Sequence, residues 1–307
     1  MSTIPAAEVV ITAELVRSLV RSQAAHLGAA ASAPLRRAGS GWDCELWRLG
    51  DDLAVRMPRR ALAAPLVLHE QQVLPLLGPR LRAEGVDVPE PVLAGAPGHG
   101  YPWAWSVVPW FDGISASTTD RAGRSAWAGA LGRAIFALHS PAPAEYPPNP
   151  FRGGPLSGRS DAVTARVAAV SRRLSVEVRR AAETVWQAGV AAPAWSAAPV
   201  WIHGDVHPGN LIVRGDRLRA LIDFGDVTAG DPAYDLAIAW LAFDATGRAS
   251  FRSAYGSPAD HALWTRARAW AVAMALLLIA HGDDDPAAHR EGHAALREIA
   301  GDDPPLS

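Results

Sequence analysis

The 307-residue sequence contains no lysine: all 29 of its basic residues are arginine, set against 31 carboxylates for a net charge of −2. A chain so close to neutral lacks the positive excess that nucleic acid or an anionic membrane would select, so neither is an expected partner. Cysteine occurs once, at Cys44, which excludes an intramolecular disulfide framework and fits a reducing cytoplasm. The opening residues, MSTIPAAEVV, have neither the basic nor the apolar segment of a secretory leader, and the expected location is cytoplasmic. The longest apolar run, Ala269 to Ala280, is twelve residues, short of the ~20 that a membrane span needs, and reads as a buried helix. Internal repeats and long low-complexity tracts are also missing. What the chain does have is length and apolar content, 49% hydrophobic, enough for two lobes with separate cores.

Apolar spacing after a possible Thr12 cap predicts a helix from Thr12 to Leu27. From Leu35 the pattern shortens into three strands, a β-meander with Gly39-Ser40-Gly41 in its first loop and Gly50-Asp51-Asp52 in its second. A helix follows over APLVLHEQQVLPLL, with Leu66, Val73, Leu74 and Leu77 on or near one face. Two more strands surround a Pro- and Gly-rich loop. Ser106 to Gly113 then leaves the sheet through a proline and a glycine. Helical patterns cover Thr118 to His139 and Ser160 to Gln187. The tail is helical over Asp231–Ala245, around Phe251, over Pro258–Ala280 and over Ala287–Ala300. PAPAEYPPNP between the first two of these reads as a rigid linker or loop.

The richest stretch runs from Trp201 to Asp226, WIHGDVHPGNLIVRGDRLRALIDFGD, two short apolar strands around a polar loop. It holds His203-Gly204-Asp205-x4-Asn210 and, thirteen residues after Asn210, Asp223-Phe224-Gly225. Phosphoryl transfer to a hydroxyl needs a carboxylate that orients the hydroxyl and accepts its proton, and oxygen ligands that hold magnesium on the phosphates. Asp205 suits the first role, Asn210 and Asp223 the second. A zinc site built from His203, Asp205 and His207, as in a metallohydrolase, is a rival use of the same residues. It leaves Asn210 and the Asp-Phe-Gly triplet unexplained. A nucleotide-binding protein without turnover is the other alternative.

His-Gly-Asp-Val-His-Pro-Gly-Asn resembles the catalytic loop of the aminoglycoside phosphotransferase family, and its Asp-to-Asn spacing matches that of kinases. The resemblance implies an α+β, two-lobed, protein-kinase-like fold. A small N-terminal β-sheet lobe with one key helix would cover residues 1–108, a hinge 109–113, and a larger, mostly helical catalytic lobe 114–307. It further implies an alcohol-directed phosphotransferase that uses Mg2+ and ATP or GTP. Gly39, Ser40 and Gly41 would cover the phosphates. Arg56, on the third strand, would anchor them in place of the family's lysine, with Glu70 as its partner. The hinge backbone around Val108 and Trp110 would hold the base, His203 would shape the catalytic loop, and Asp235 would brace it. The phrase Ala54-Val55-Arg56-Met57-Pro58-Arg59-Arg60 is similar to the corresponding strand of macrolide phosphotransferases, which keeps GTP beside ATP.

Only Asp226 to Gly230 separates the Asp-Phe-Gly triplet from Asp231-Pro232, too little chain for a phosphorylatable activation loop. The expected acceptor is therefore a small natural product, such as an aminoglycoside or macrolide antibiotic, and not a protein. Residues 226–307 hold 12 acids against 6 arginines, the sign that suits a cationic acceptor. Trp240, Phe243, Trp264 and Trp270 in the same tail either line an apolar pocket or fill the core.

Overall fold

The computed structural model describes residues 5–143, 146, 149, 151–256, 260–280 and 286–302. Its helices are α1 (Ala13–Gln23), α2 (Ala64–Ala83), α3 (Ser125–Leu138), α4 (Ser160–Val170), α5 (Val176–Ala191), α6 (Ala233–Leu236), α7 (Ile238–Ala242), α8 (Ala245–Tyr255), α9 (His261–Ala280) and α10 (Pro286–Gly301). Its strands are β1 (Leu35–Ser40), β2 (Cys44–Leu49), β3 (Leu53–Pro58), β4 (Leu93–Gly95), β5 (Trp105–Pro109), β6 (Ile114–Ser115), β7 (Val200–Ile202), β8 (Leu211–Arg214), β9 (Arg217–Leu221) and β10 (Thr228–Gly230). The expected α+β, two-lobed division holds: an N-terminal antiparallel sheet precedes a larger helical part.

The first sheet runs β1-β2-β3-β5-β4, all antiparallel. One of its faces packs on α1 through Val16, Leu19, Trp47, Val55, Met57 and Trp105. Thr12 caps α1 as expected, its Oγ1 accepting from the Leu15 N–H. The helix stops at Gln23, however, and Leu27 falls in a 3₁₀ segment broken at Gly28, which sits at φ 55.

α2 is longer than the sequence pattern suggests, continuing past Leu77 through Pro79 to Ala83, with Pro75 also in its interior. Each interior proline removes a backbone hydrogen bond, a cost of ~3 kcal/mol or more. Burial of Val73, Leu74, Leu77 and Leu81 against the core of the helical part offsets it. α2 therefore belongs to the nucleotide side by position and to the helical side by packing.

The other boundary errors have one cause. Short polar side chains bond back to their own backbone and compete with the helix. Thr118 and Thr119 donate to the Ser115 and Ala116 carbonyls, so the helix expected from Thr118 begins only at Ser125. Ser175 accepts from the Val178 N–H and starts α5, splitting the segment expected over Ser160 to Gln187. Asp244 accepts from the Gly247 N–H and opens α8, so the stretch from Asp231 becomes two short helices and a turn.

Trp240, Phe243, Trp264 and Trp270 are buried, and the core reading of these aromatics holds. The apolar run from Ala269 lies within α9, which is long and apolar enough to cross a membrane but has 67% of its most apolar window buried inside the protein. Parts of the PAPAEYPPNP stretch, Pro258, Asp283-Asp284-Asp285 and Asp303 lie outside the described residues.

Candidate active site

The central stretch folds as two strands around a loop: β7, the His203–Asn210 turn, then β8, with β9 leading to Asp223. The loop is held from beneath. Asp235 is fully buried; its Oδ2 accepts the His203 N–H at 2.6 Å and its Oδ1 the Gly204 N–H at 3.0 Å. His139, from the end of α3, contacts the same Oδ2 at 3.2 Å and Tyr255 Oη at 2.9 Å. His203 Nδ1 accepts the Asp205 N–H at 3.2 Å, so its Nε2 carries the proton shared with the Ile222 carbonyl at 3.0 Å. That tautomer ties the loop to the strand end before Asp223. Gly204 sits at φ 80, and a Cβ there would lie 2.5 Å from the Asp226 carbonyl oxygen, so only glycine fits.

Asp205 projects from this frame. Asn210 Nδ2 donates to its main-chain oxygen at 3.0 Å and to its Oδ2 at 3.2 Å. Arg152 Nη2 lies 3.6 Å from its Oδ1, and His207 Nε2 3.6 Å from its Oδ2. Burial alone would raise the Asp205 pKa, but His207 and Arg152 outweigh it and hold it at about 2. Burial would lower the pKa of His207, and the Asp205 carboxylate reverses that into a rise. With its Nδ2 spent on Asp205, Asn210 leaves its Oδ1 without a donor among the described residues, aimed away from that bond. The Ile222 N–H bonds the Asn210 carbonyl at 2.9 Å, so Asn210 and Asp223 are set one residue apart across the strand pair.

Asp223 adopts the left-handed region, φ 68, ψ 66, a conformation that Asp tolerates better than bulkier residues. Its Oδ1 accepts from Arg56 Nη2 at 2.7 Å, and the same nitrogen lies 3.2 Å from Glu70 Oε1. Glu70 Oε1 also accepts the Phe224 N–H at 2.9 Å. Arg56 thus stands between two carboxylates and bridges the sheet to the helical part. Burial pushes the Glu70 pKa up to about 7 in spite of Arg56. Arg56 Nε is buried and has no hydrogen-bond partner among the described residues.

The rim over Arg56 is the β1-β2 turn. Gly39 has open space where a side chain would go, a Cβ at Gly41 would meet the Cys44 carbonyl oxygen at an ordinary 3.6 Å, and neither has a positive φ, so packing does not demand glycine there. Ser40 Oγ is engaged with Arg37 at 2.8 Å and Glu45 at 3.3 Å. Arg59 donates to the Gly41 carbonyl at 3.1 Å and Arg60 to Asp43 at 2.7 Å. On the connecting strand, Val108 pairs with Ala54. The Trp110 N–H is committed to the Asp52 carbonyl at 2.7 Å and its ring lies 4.8 Å from the Arg48 guanidinium. Trp110 is therefore not a free backbone donor.

The structure brings Asp205, Asn210, Asp223, Arg56 and Glu70 into one linked set and puts His203 and Asp235 beneath it. Sequence reasoning missed Arg152, Asp226 and His139. Arg152 binds Asp226 Oδ2 at 2.6 Å and Tyr234 Oη at 3.0 Å and flanks Asp205. Nothing local marks it: it is one arginine of 29 in a Pro- and Gly-rich loop. The zinc reading fails on the histidines. Both ring nitrogens of His203 are used by backbone groups, His207 Nδ1 accepts the Gly209 N–H at 3.1 Å, and no group of three His, Cys, Asp or Glu forms a metal site among the described residues. Oxygen donors on Asn210 and Asp223 instead suit a hard cation that keeps most of its coordination for phosphate and water.

A five-stranded sheet carrying a basic strand residue paired to a helical glutamate, set over a helical lobe with this loop, defines a kinase-like phosphotransferase. The phosphotransferase enzyme family model matches residues 34–270, and the chain belongs to that family. The fold is similar to the GDP complex of aminoglycoside 2'-phosphotransferase-IIIa, with TM-score 0.64, 19% identity, and coverage of 87% of this chain and 92% of that one. ADP-bound aminoglycoside phosphotransferase APH(2'')-Ib superposes with TM-score 0.58 at 17% identity over 94% and 98% of the two chains. A macrolide 2'-phosphotransferase from Brachybacterium faecium does so with 0.54 at 21% over 90% and 93%. Among curated protein sequences none matches.

Proposed function

We propose that this phosphotransferase moves the γ-phosphate of ATP or GTP to a hydroxyl of a small molecule, with antibiotics of the aminoglycoside or macrolide kind as the first acceptors to try. The carrying observation is the Asn210 amide bonded to the Asp205 carboxylate while its oxygen stays open: one residue orients the base and offers a ligand to the metal. Asp205 holds the acceptor hydroxyl and takes its proton as the oxygen forms a bond to γ-phosphorus and the bond to the β-phosphate oxygen breaks, releasing the nucleoside diphosphate. Asn210 and Asp223 would hold Mg2+, which supplies charge neutralisation on the phosphates. Arg56 would turn its free Nε and one Nη toward phosphate oxygen while Glu70 keeps it in place. Gly39, Ser40 and Gly41 would close over the phosphates, and the hinge 109–113 with Val108 would carry the base between an N-terminal lobe, 1–108, and a C-terminal lobe, 114–307. Cytoplasmic action fits the nucleotide requirement.

Nucleoside diphosphate release, measured with ATP and with GTP over a panel of hydroxylated acceptors, tests the reading. Asp205→Asn should cut kcat by about 10³-fold or more and leave nucleotide KM within about threefold, because the amide cannot take the proton. Equal turnover in the variant would remove Asp205 from the chemistry.

A further inference from the structure

Beside Asp205 lies a cavity of about 340 Å³, at the small end for ligand sites. One wall is apolar: Trp270, Met274, Leu277 and Leu278 from α9 with Leu241 from α7. Arg152, Arg159 and Arg166 also line the cavity, with His207 beside Asp205. Asp205 is the one acid among the described lining residues. Arg152 is neutralised by Asp226, and Arg159 lies over the Phe151 ring at 5.5 Å. Arg166 is half-buried on α4 and makes no ion pair or hydrogen bond to any described residue. A guanidinium facing a cavity with no carboxylate of its own is a site for an anion.

The acidic tail does not change that sign. Of its twelve acids, eight are used elsewhere in the described structure. Asp226 pairs with Arg152, Asp231 with Arg266, Glu291 with Arg121 and Arg124, and Glu298 and Asp302 with Arg248. Asp235 braces the loop, and Asp244 and Asp260 cap helices. The remaining four, Asp283, Asp284, Asp285 and Asp303, lie outside the described residues. The total charge of the tail, which pointed to a cationic acceptor, is thus mostly structural.

Resting on the kinase reading above, we infer that the acceptor is a compact amphipathic hydroxy acid. Its hydroxyl meets Asp205, its hydrocarbon body lies on the α9 wall, and its carboxylate pairs with Arg166. A polyammonium sugar would set a charge against Arg166 and leave the α9 side chains without an apolar partner.

The test uses the full chain with Mg2+ and a non-hydrolysable ATP analogue, and measures by calorimetry the binding of 3-hydroxydecanoate, its methyl ester and kanamycin. The acid should bind about tenfold tighter than the ester. Arg166→Ala should abolish that difference without changing ester binding, and Arg166→Lys should restore part of it. Equal binding of acid and ester, an unchanged preference in Arg166→Ala, or kanamycin binding tighter than the acid would each overturn the inference. Diphosphate release from ATP separates the two claims. A bound acid with the Arg166-dependent preference but no acceptor-dependent release would defeat the kinase reading and leave the assignment of the cavity standing.

Discussion

The two loops that meet at this site are built in opposite ways. The His203–Asn210 loop is fixed by buried groups from three distant segments: Asp235 below, His139 behind it, and the Ile222 carbonyl at its side. The Gly39–Asp43 turn is held by its own strand pairing and short backbone bonds, Gly41 N–H to the Cys44 carbonyl and Arg59 N–H to the Asp43 carbonyl, with Arg37, Arg59 and Arg60 on its side chains and carbonyls. No group from the helical part bonds to it among the described residues. On the proposed function, the first would present a carboxylate at one position during bond making, and buried hydrogen bonds set its geometry in advance. The second would admit and release a nucleotide, and its supports come from its own hairpin.

That contrast predicts a gradient of mutational effects. The largest belongs to Asp235→Ala, which leaves two buried N–H groups without acceptors, about 1–3 kcal/mol each. Melting should show a drop in Tm of several degrees, and kcat should fall by about 10²-fold or more; Asp235→Asn, with one acceptor retained, should fall between. An intact kcat in Asp235→Ala would mean the loop holds its shape without its clamp.

Arg56→Ala comes next and should raise nucleotide KM about tenfold, with Arg56→Lys recovering only part of the loss, since lysine restores the charge but not the fork of the guanidinium. Equal nucleotide affinity in wild type and Arg56→Ala would take Arg56 out of the site.

His207→Gln probes a smaller term. Asp205 is ionised above about pH 2 because His207 and Arg152 hold it there against burial. Removing the His207 proton donor and charge lets burial act, so the Asp205 pKa rises and the acid limb of kcat/KM moves to higher pH. The profile of kcat/KM against pH, taken for both proteins, checks this; an unmoved limb contradicts the coupling. The smallest effect is expected at the rim. Ser40→Ala should change nucleotide KM by no more than about threefold, because the hydroxyl is one link in an exposed Arg37–Glu45 contact. A tenfold change there would erase the contrast between the loops.

The same contrast explains what could be read in advance. That Asp205, Asn210 and Asp223 come together was legible because Asp205 and Asn210 share one short loop and Asp223 follows the next strand pair. Asp235 was legible as a brace because it opens a helix just past the triplet. Arg59, Arg60, Arg152 and Arg166 were not, since a chain whose every cation is arginine gives no sign of which ones matter. His139 was hidden by distance, 96 residues before its partner. The charge of the tail is a weak guide to the acceptor because a sum over residues does not record which carboxylates are already paired. Helix existence was legible from apolar spacing, whereas the ends were decided by Ser, Thr and Asp side chains bonding to nearby backbone.

One buried carboxylate also marks the protein's timekeeping. Because Asp235 accepts from the amides of His203 and Gly204 with no solvent between them, those two protons can leave only when the helical lobe itself opens. In deuterated water they should be among the last to exchange, although they sit one and two residues from Asp205, while the amide of Trp42, at the exposed tip of the β1–β2 turn, exchanges early. Two neighbouring loops would then keep different clocks, one set by unfolding of the helical lobe and the other by fraying of a hairpin tip.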